Sequence, residues 1–169
     1  MAELKDIVKH IQQRNLDKAL ALCKSIQNNK NNHIILNFIG VIHLLKNNLD
    51  LAETNFLKSS KINERFEDPI KNLYSIYLRK NNLKDLLFYA KKLIKNDQLN
   101  NQYNYQLAYA FELNNELDEA IKYYEIYLKN EDKDKKKALN NIGCIHLKKN
   151  KAKIALDYFL KAINFGEDK

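Results

Sequence analysis

Lys46-Asn47-Asn48-Leu49-Asp50 recurs as Lys80-Asn81-Asn82-Leu83-Lys84, and again as Asn114-Asn115-Glu116-Leu117-Asp118. The leucines Leu49, Leu83 and Leu117 stand 34 residues apart each time. The same step links Ile39, Leu73 and Leu107, and also Gly40, Tyr74 and Ala108. A fixed period of this length marks stacked supersecondary units, none of which can bury its own apolar face alone. A further unit follows after one extra residue in the loop Glu131 to Lys135, with Ile142 and Gly143 in the corresponding places. A first unit precedes, through Ile7, His10, Leu16, Ala19 and Cys23. The chain therefore reads as one domain of five units, approximately 1–32, 33–66, 67–100, 101–135 and 136–169.

Within each unit the apolar spacing is that of two helices. Leu36, Ile39, Gly40, His43 and Leu44 follow the i, i+3, i+4, i+7, i+8 rhythm of one helix face. Ala52, Phe56 and Ser59 form the facing stripe of a second helix. Between them Asn47-Asn48 can take a left-handed backbone, which Asn accepts more readily than most residues. Asp50 then stands where an N-cap is expected, with Glu53 completing a capping box, and Asp17 and Asp118 occupy the matching place. Small residues at Gly40, Ala108 and Gly143 let two helices approach closely, with Phe56, Tyr124 and Phe159 filling the space opposite. In the third unit the bulk is reversed, with Tyr74 facing the smaller Leu86 and Ala90.

Composition narrows the function classes. With 45% hydrophobic and 30% charged residues the chain is a folded globular protein, and 3 Gly and 1 Pro leave few helix breakers. Runs such as Ile34-Ile35-Leu36 and Leu86-Leu87-Phe88 fall far short of a membrane span. The start Met1-Ala2-Glu3-Leu4-Lys5-Asp6 lacks the apolar stretch of a secretory signal, so a cytoplasmic location is expected. Cys23 and Cys144 have no paired or metal-site spacing. The net charge of +8 raises the question of nucleic acid or an anionic membrane. Arg14, Arg65 and Arg79 are the only arginines, however, and arginine is the usual residue for bidentate phosphate contacts, so both partners are disfavoured. His10, His43 and His146 share one repeat position, but neighbouring helices pack about 8–10 Å apart, too far for equivalent imidazoles to share an ion. No nucleophile–base grouping or phosphate loop is present, so neither catalysis nor a cofactor is expected.

The period and the alternation of small and aromatic residues resemble the tetratricopeptide repeat family. The best-matching stretch is Ala138-Leu139-Asn140-Asn141-Ile142-Gly143, continuing through His146, Ala155, Tyr158-Phe159 and Ala162. The resemblance recurs in all five units, although the usual Pro near a repeat end is missing and Pro69 lies a few residues late. It implies an all-α, right-handed superhelical solenoid of about five helix-turn-helix repeats, whose first helices line a concave groove.

That resemblance also implies which residues face inward. They are Leu4, Val8 and Ile11, then Ile34, Asn37, Phe38 and Val41, then Lys71, Asn72, Ser75 and Arg79. Gln102, Tyr105, Gln106 and Tyr109 follow from the fourth unit, and Lys137, Asn140, Asn141 and Cys144 from the fifth. The early wall is apolar and the later wall amide-rich, aromatic and mildly basic. Such a face suits a protein or extended peptide with an apolar anchor at one end. Asn72, Gln106 and Asn141 fall at one repeat position, as in the asparagine ladder of O-linked N-acetylglucosamine transferases; chance exposure in an Asn-rich chain is the competing reading. Against the carboxylate clamp of chaperone-tail binders, Lys71 and Lys137 match, whereas Ser75, Gln106 and Asn141 do not. Tyr105 and Tyr109 are the aromatic residues expected to meet a ligand, with Phe111, Tyr124 and Tyr127 in the core. The last helix, roughly 153 to 165, is apolar on more than one face, which points to self-association or a neighbouring domain. The leading expectation is a protein- or peptide-binding scaffold. The alternatives are a recruitment module of a larger enzyme such as a glycosyltransferase, or a basic RNA- or membrane-surface-binding solenoid.

Overall fold

A computed structural model describes residues 2–27, 32–129 and 135–165. The extra residue expected between 131 and 135 therefore falls largely outside the described residues, as does 166–169. Among the described residues there are ten helices and no strand: α1 Ala2–Gln12, α2 Leu16–Gln27, α3 His33–Leu45, α4 Leu49–Ile62, α5 Glu67–Arg79, α6 Leu83–Asn96, α7 Asn101–Leu113, α8 Leu117–Lys129, α9 Lys135–Lys148 and α10 Ala152–Asn164. They group into two compact units, Met1–Asn82 and Leu83–Lys169. In the first, α1 packs on α2, α3 on α4, and α5 on both α3 and α4. In the second, α6 packs on α7, α7 on α8, α8 on α9 and α9 on α10.

One turn, made five times, sets this hairpin geometry. Arg14, Asn47, Asn81, Asn115 and Asn150 all have a left-handed backbone, with φ between 52° and 61°. After each, the chain closes the preceding helix the same way. In the second hairpin the Asn47 N–H donates to the Leu44 carbonyl at 3.0 Å and the Asn48 N–H to the His43 carbonyl at 2.9 Å. This is the Schellman closure, in which carbonyls left over at a helix end find donors just beyond it. Asn tolerates the left-handed turn because its short polar side chain bonds locally, whereas Arg14 carries no such advantage.

The turn also corrects the expected capping box. Because Asn47 alone is left-handed, α4 restarts at Leu49 with Asn48 as its N-cap, and Asn48 makes no side-chain cap bond. Asp50 lies inside the first helical turn, where its charge complements the helix dipole and pairs with Lys80 at 2.6 Å. Glu53 accepts from Lys80 at 2.5 Å and from the Tyr77 hydroxyl at 2.7 Å. Side-chain caps occur instead at Asn32 of α3, which accepts from the Ile34 and Ile35 N–H groups, and at Asn100 of α7, which accepts from Gln102. Pro69, late for a repeat end, is the third residue of α5, where a missing N–H costs nothing.

The close approaches expected at Gly40 and Gly143 are present. A Cβ built on Gly40 would lie 2.5 Å from the Phe56 ring, and one on Gly143 would lie 2.5 Å from the Phe159 ring. Phe56, Ala52 and Ser59 are fully buried, and the Ser59 hydroxyl donates to the His33 carbonyl at 2.6 Å. Tyr74 is buried in the first unit, as are Leu86 and Ala90 in the second.

Candidate functional site

In the first unit the first helices of three successive hairpins, α1, α3 and α5, bound one cavity of about 330 Å³. Its apolar wall is Val8 and Ile11 from α1 with Phe38 and Val41 from α3. Its polar side is Gln12, Asn37, Asp68, Lys71 and Asn72. Seven of these nine residues are ones the repeat pattern assigns to the inward face; Gln12 and Asp68 are not. The reason is helical: positions three and four apart share a face, so Val8 with Ile11, and Phe38 with Val41, project together. Ile11 and Phe38 also pack partly against the core formed by Ile7, Ile35, Ile39 and Ile42, which fixes their direction.

The polar side is ordered by its own contacts. Asn37 is buried, and its Oδ1 accepts from the Asn72 amide at 3.3 Å. The Lys71 ammonium pairs with Glu67, one turn earlier on α5, at 2.9 Å. Asp68, exposed beside it, has no ion-pair or hydrogen-bond partner among the described residues. The Ser75 hydroxyl turns back to the Lys71 carbonyl at 3.1 Å, so its proton is engaged within α5.

The expected residues of the second unit form a network. The Asn141 amide donates to the Tyr124 hydroxyl at 2.8 Å and to the Tyr105 hydroxyl at 3.4 Å. Tyr124 in turn donates to Glu112 at 3.0 Å, and Lys148 reaches the other Glu112 oxygen at 3.3 Å. Tyr124 is fully buried, and burial followed by the Glu112 charge pushes its phenol far above the ordinary value of 10.0, so it stays protonated. Tyr105 is half-buried, its ring edge-on to Tyr124 at 5.4 Å and Tyr127 at 5.3 Å. Gln106, Tyr109 and Asn140 are half-buried, and Lys137 is exposed.

Thus the row Asn72, Gln106, Asn141 is not a uniform set of displayed amides. Asn72 and Asn141 both direct amide N–H bonds to side chains of the protein itself. Tyr124 and Tyr127 are core, as expected, while Tyr105 is built into the wall and held by Asn141.

The three equivalent histidines are half-buried, and the Nδ1 atoms of His10, His43 and His146 make no hydrogen bond. Burial, then Lys46 and Lys24, holds His43 below its ordinary value of 6.5. Burial, then Lys151 and Lys149, does the same for His146 against the smaller opposite pull of Glu125 and Asp118. Cys23 is buried and its thiol is pushed up to about 11, whereas Cys144 is exposed. Among the described residues no three His, Cys, Asp or Glu side chains gather where they could hold a metal ion, and no helix is long and apolar enough to cross a membrane. On α10, Ile154, Leu156, Leu160 and Ile163 are exposed, as is Phe165 just beyond it.

Residues 136–165 match the family model of the tetratricopeptide repeat. Among curated proteins, none matches the sequence. Solved structures match closely in fold. MamA aligns with a TM-score of 0.87 at 19% identity, over 99% of this chain and 92% of that one. MamA from Desulfovibrio magneticus RS-1, from its residue 41 onward, aligns at 0.86 and 16%, over 99% and 95%. YrrB, a tetratricopeptide-repeat protein with an unusual peptide-binding site, aligns at 0.86 and 18%, over 99% and 87%. At these identities the likeness speaks to fold: the chain has the fold of tetratricopeptide-repeat structures, and its last hairpin matches the family model of that repeat.

Proposed function

We propose that the protein is a non-catalytic scaffold that holds an extended segment of another protein against its first helices. One observation carries this reading: α1, α3 and α5 line an open cavity of about 330 Å³ with an apolar wall and fixed amides beside it. That volume is at the lower end of the range for ligand pockets, enough for one large side chain rather than a cofactor. An apolar anchor there, with Asn37 and Asn72 beside the backbone that carries it, is a general mode of peptide capture. The peptide-binding site of YrrB, which shares the fold, supports the reading. Tyr109, Gln106, Lys137 and Asn140 are proposed as further contacts in the second unit. A cytoplasmic setting belongs to the same proposal, as does the exclusion of nucleic acid and membrane, since only three arginines accompany the lysines.

Val41→Arg tests it. The change places a long cation at the cavity wall, at a half-buried position that can extend toward solvent. Peptides selected on the intact chain are expected to lose at least tenfold in affinity, with circular dichroism unchanged. Selected peptides that bind the variant equally well would remove the cavity from the function.

The exposed apolar side chains of α10 favour a second contact. We propose self-association through this helix, because Ile121 and Leu128, the residues of α8 at the repeat positions of Leu156 and Ile163, are half-buried in a unit where α9 packs on α8. A sedimentation mass that stays monomeric up to millimolar concentration argues against it.

A further inference from the structure

We infer that the cavity of the first unit selects a cationic peptide, an apolar anchor flanked by Lys or Arg, although the protein as a whole carries a net charge of +8. This rests on the proposed peptide-binding role and goes further by specifying the ligand.

The sign of the site follows from which charges near it are already answered. Lys71 is the one cation lining the cavity, and Glu67 sits 2.9 Å from its ammonium. That pair is neutral at the distance of a bound residue. Asp68 lines the same cavity and has no partner among the described residues. Both acids lie in the first turn of α5, whose positive end offsets about half an elementary charge. A negative remainder is left on the lip. The apolar residues Val8, Ile11, Phe38 and Val41 add no charge, and Asn37, Asn72 and Gln12 are neutral.

Geometry sets what can use that remainder. An extended chain advances about 3.3 Å per residue, so a residue adjacent to the anchor lies within a few ångströms of the cavity mouth. A lysine or arginine stem is long enough to reach the exposed Asp68 from there while its own chain covers apolar surface. An acidic residue at the same place would meet Asp68 directly and find Lys71 already paired. The carboxylate-clamp mode is thereby disfavoured at Lys71 by the structure as well as by Ser75. The field of the whole protein works the other way, attracting anions over long range. Screening confines that field to about 8 Å at physiological salt, so the local carboxylate dominates a seated ligand.

The experiment uses the full chain and fluorescein-labelled, end-blocked peptides that carry one Leu or Phe flanked by Lys, Gln or Glu, read by fluorescence anisotropy at 50 and 300 mM salt. The Lys peptide is expected to bind about threefold more tightly than the Gln peptide at low salt, the range of an exposed ion pair, and the Glu peptide more weakly than either. Asp68→Asn should erase the difference between Lys and Gln, and Asp68→Lys should reverse it, while Leu-to-Ser peptides lose binding in all three proteins. Asp68 is exposed, so both variants retain the helical signal. Binding that depends on the anchor but ignores the flanking charge, or favours Glu, overturns this inference and leaves the peptide-binding role standing. No binding of any peptide, or displacement only by single-stranded RNA or anionic vesicles, overturns both.

Discussion

Replacing Gly40 with alanine adds one methyl group where α3 lies directly against the Phe56 ring of α4. The new Cβ would lie 2.5, 2.6 and 2.9 Å from Cε1, Cδ1 and Cζ of Phe56. Carbon atoms rest at about 3.5 Å or more, so the ring or the helix must move by about 1 Å. Phe56 has no exposed surface and no direction in which to retreat, so α3 and α4 must part. Overpacking of this kind costs about 1–3 kcal/mol, and a locked ring places it in the upper half. Against that, alanine in a helix interior is favoured over glycine by about 1 kcal/mol. The expected net loss is about 1–2 kcal/mol in urea denaturation. Gly143 supplies the control. Its Cβ would approach Phe159 equally closely, at 2.5 Å, but that ring is only half-buried and can swing outward. Gly143→Ala should therefore be near neutral, the propensity gain cancelling a small shift. In a Phe56→Leu background Gly40→Ala should cost less than half its value in the wild type, the mark of direct contact. A Gly40→Ala protein as stable as wild type, or a Gly143→Ala protein damaged to the same degree, would refute the reasoning.

Arg14 is held at φ 60° where the four later turns use Asn, so Arg14→Asn should raise stability by about 0.5–1 kcal/mol, and an unchanged or lower urea midpoint would count against left-handed strain at that turn. The histidines set a pH dependence: the folded state lowers the affinity of His43 and His146 for protons, so their contribution is fully present above about pH 6.5 and is lost as pH falls through their lower folded values. The melting temperature should drop between pH 7.5 and 5.5, and His43→Phe with His146→Phe, copying Phe111 at the same repeat position, should flatten that slope. A slope unchanged in the double variant would assign the acid sensitivity elsewhere.

The period, the five hairpins and the Gly40–Phe56 and Gly143–Phe159 contacts were legible in the sequence because each is local or repeats at a fixed step. Asp50 was misplaced as a cap for a local reason too. The sequence offers two asparagines before Leu49, and only the backbone shows that Asn47 alone turns left-handed and moves the helix start. What these aspartates do instead was not legible. Asp17 pairs with Lys46, Asp50 with Lys80, and Asp118 with Lys149, partners 29 to 31 residues apart that tie one hairpin to the next. The equivalent place between the third and fourth hairpins holds Lys84 and Asn114, and there the Asn114 amide donates to the Leu83 carbonyl at 3.0 Å. Two cations would have met at that position. Each pair is exposed on its acidic side and screened by solvent, so together they tune the register of hairpins whose stability comes from burial.

The amide row shows that a shared repeat position does not fix a side chain's partners. Asn72, Gln106 and Asn141 occupy one place on successive first helices, and the backbone sets them alike. Their neighbours are not repeated. Asn72 meets Asn37, which is buried, and Asn141 meets the hydroxyls of Tyr105 and Tyr124. An amide N–H already satisfied inside the wall gains little by turning to a ligand, because it would give up one hydrogen bond to make another. Recognition by a uniform ladder requires side chains held in place but left with unmet donors and acceptors. Asn72 and Asn141 are held by using their donors. The cavity between α1, α3 and α5 differs in kind: its apolar side chains have unfilled contact surface, and Asp68 has an unanswered charge. Binding energy is available where the fold has left an interaction unmade within reach of a ligand, and the cavity offers both an unfilled apolar wall and an unanswered charge.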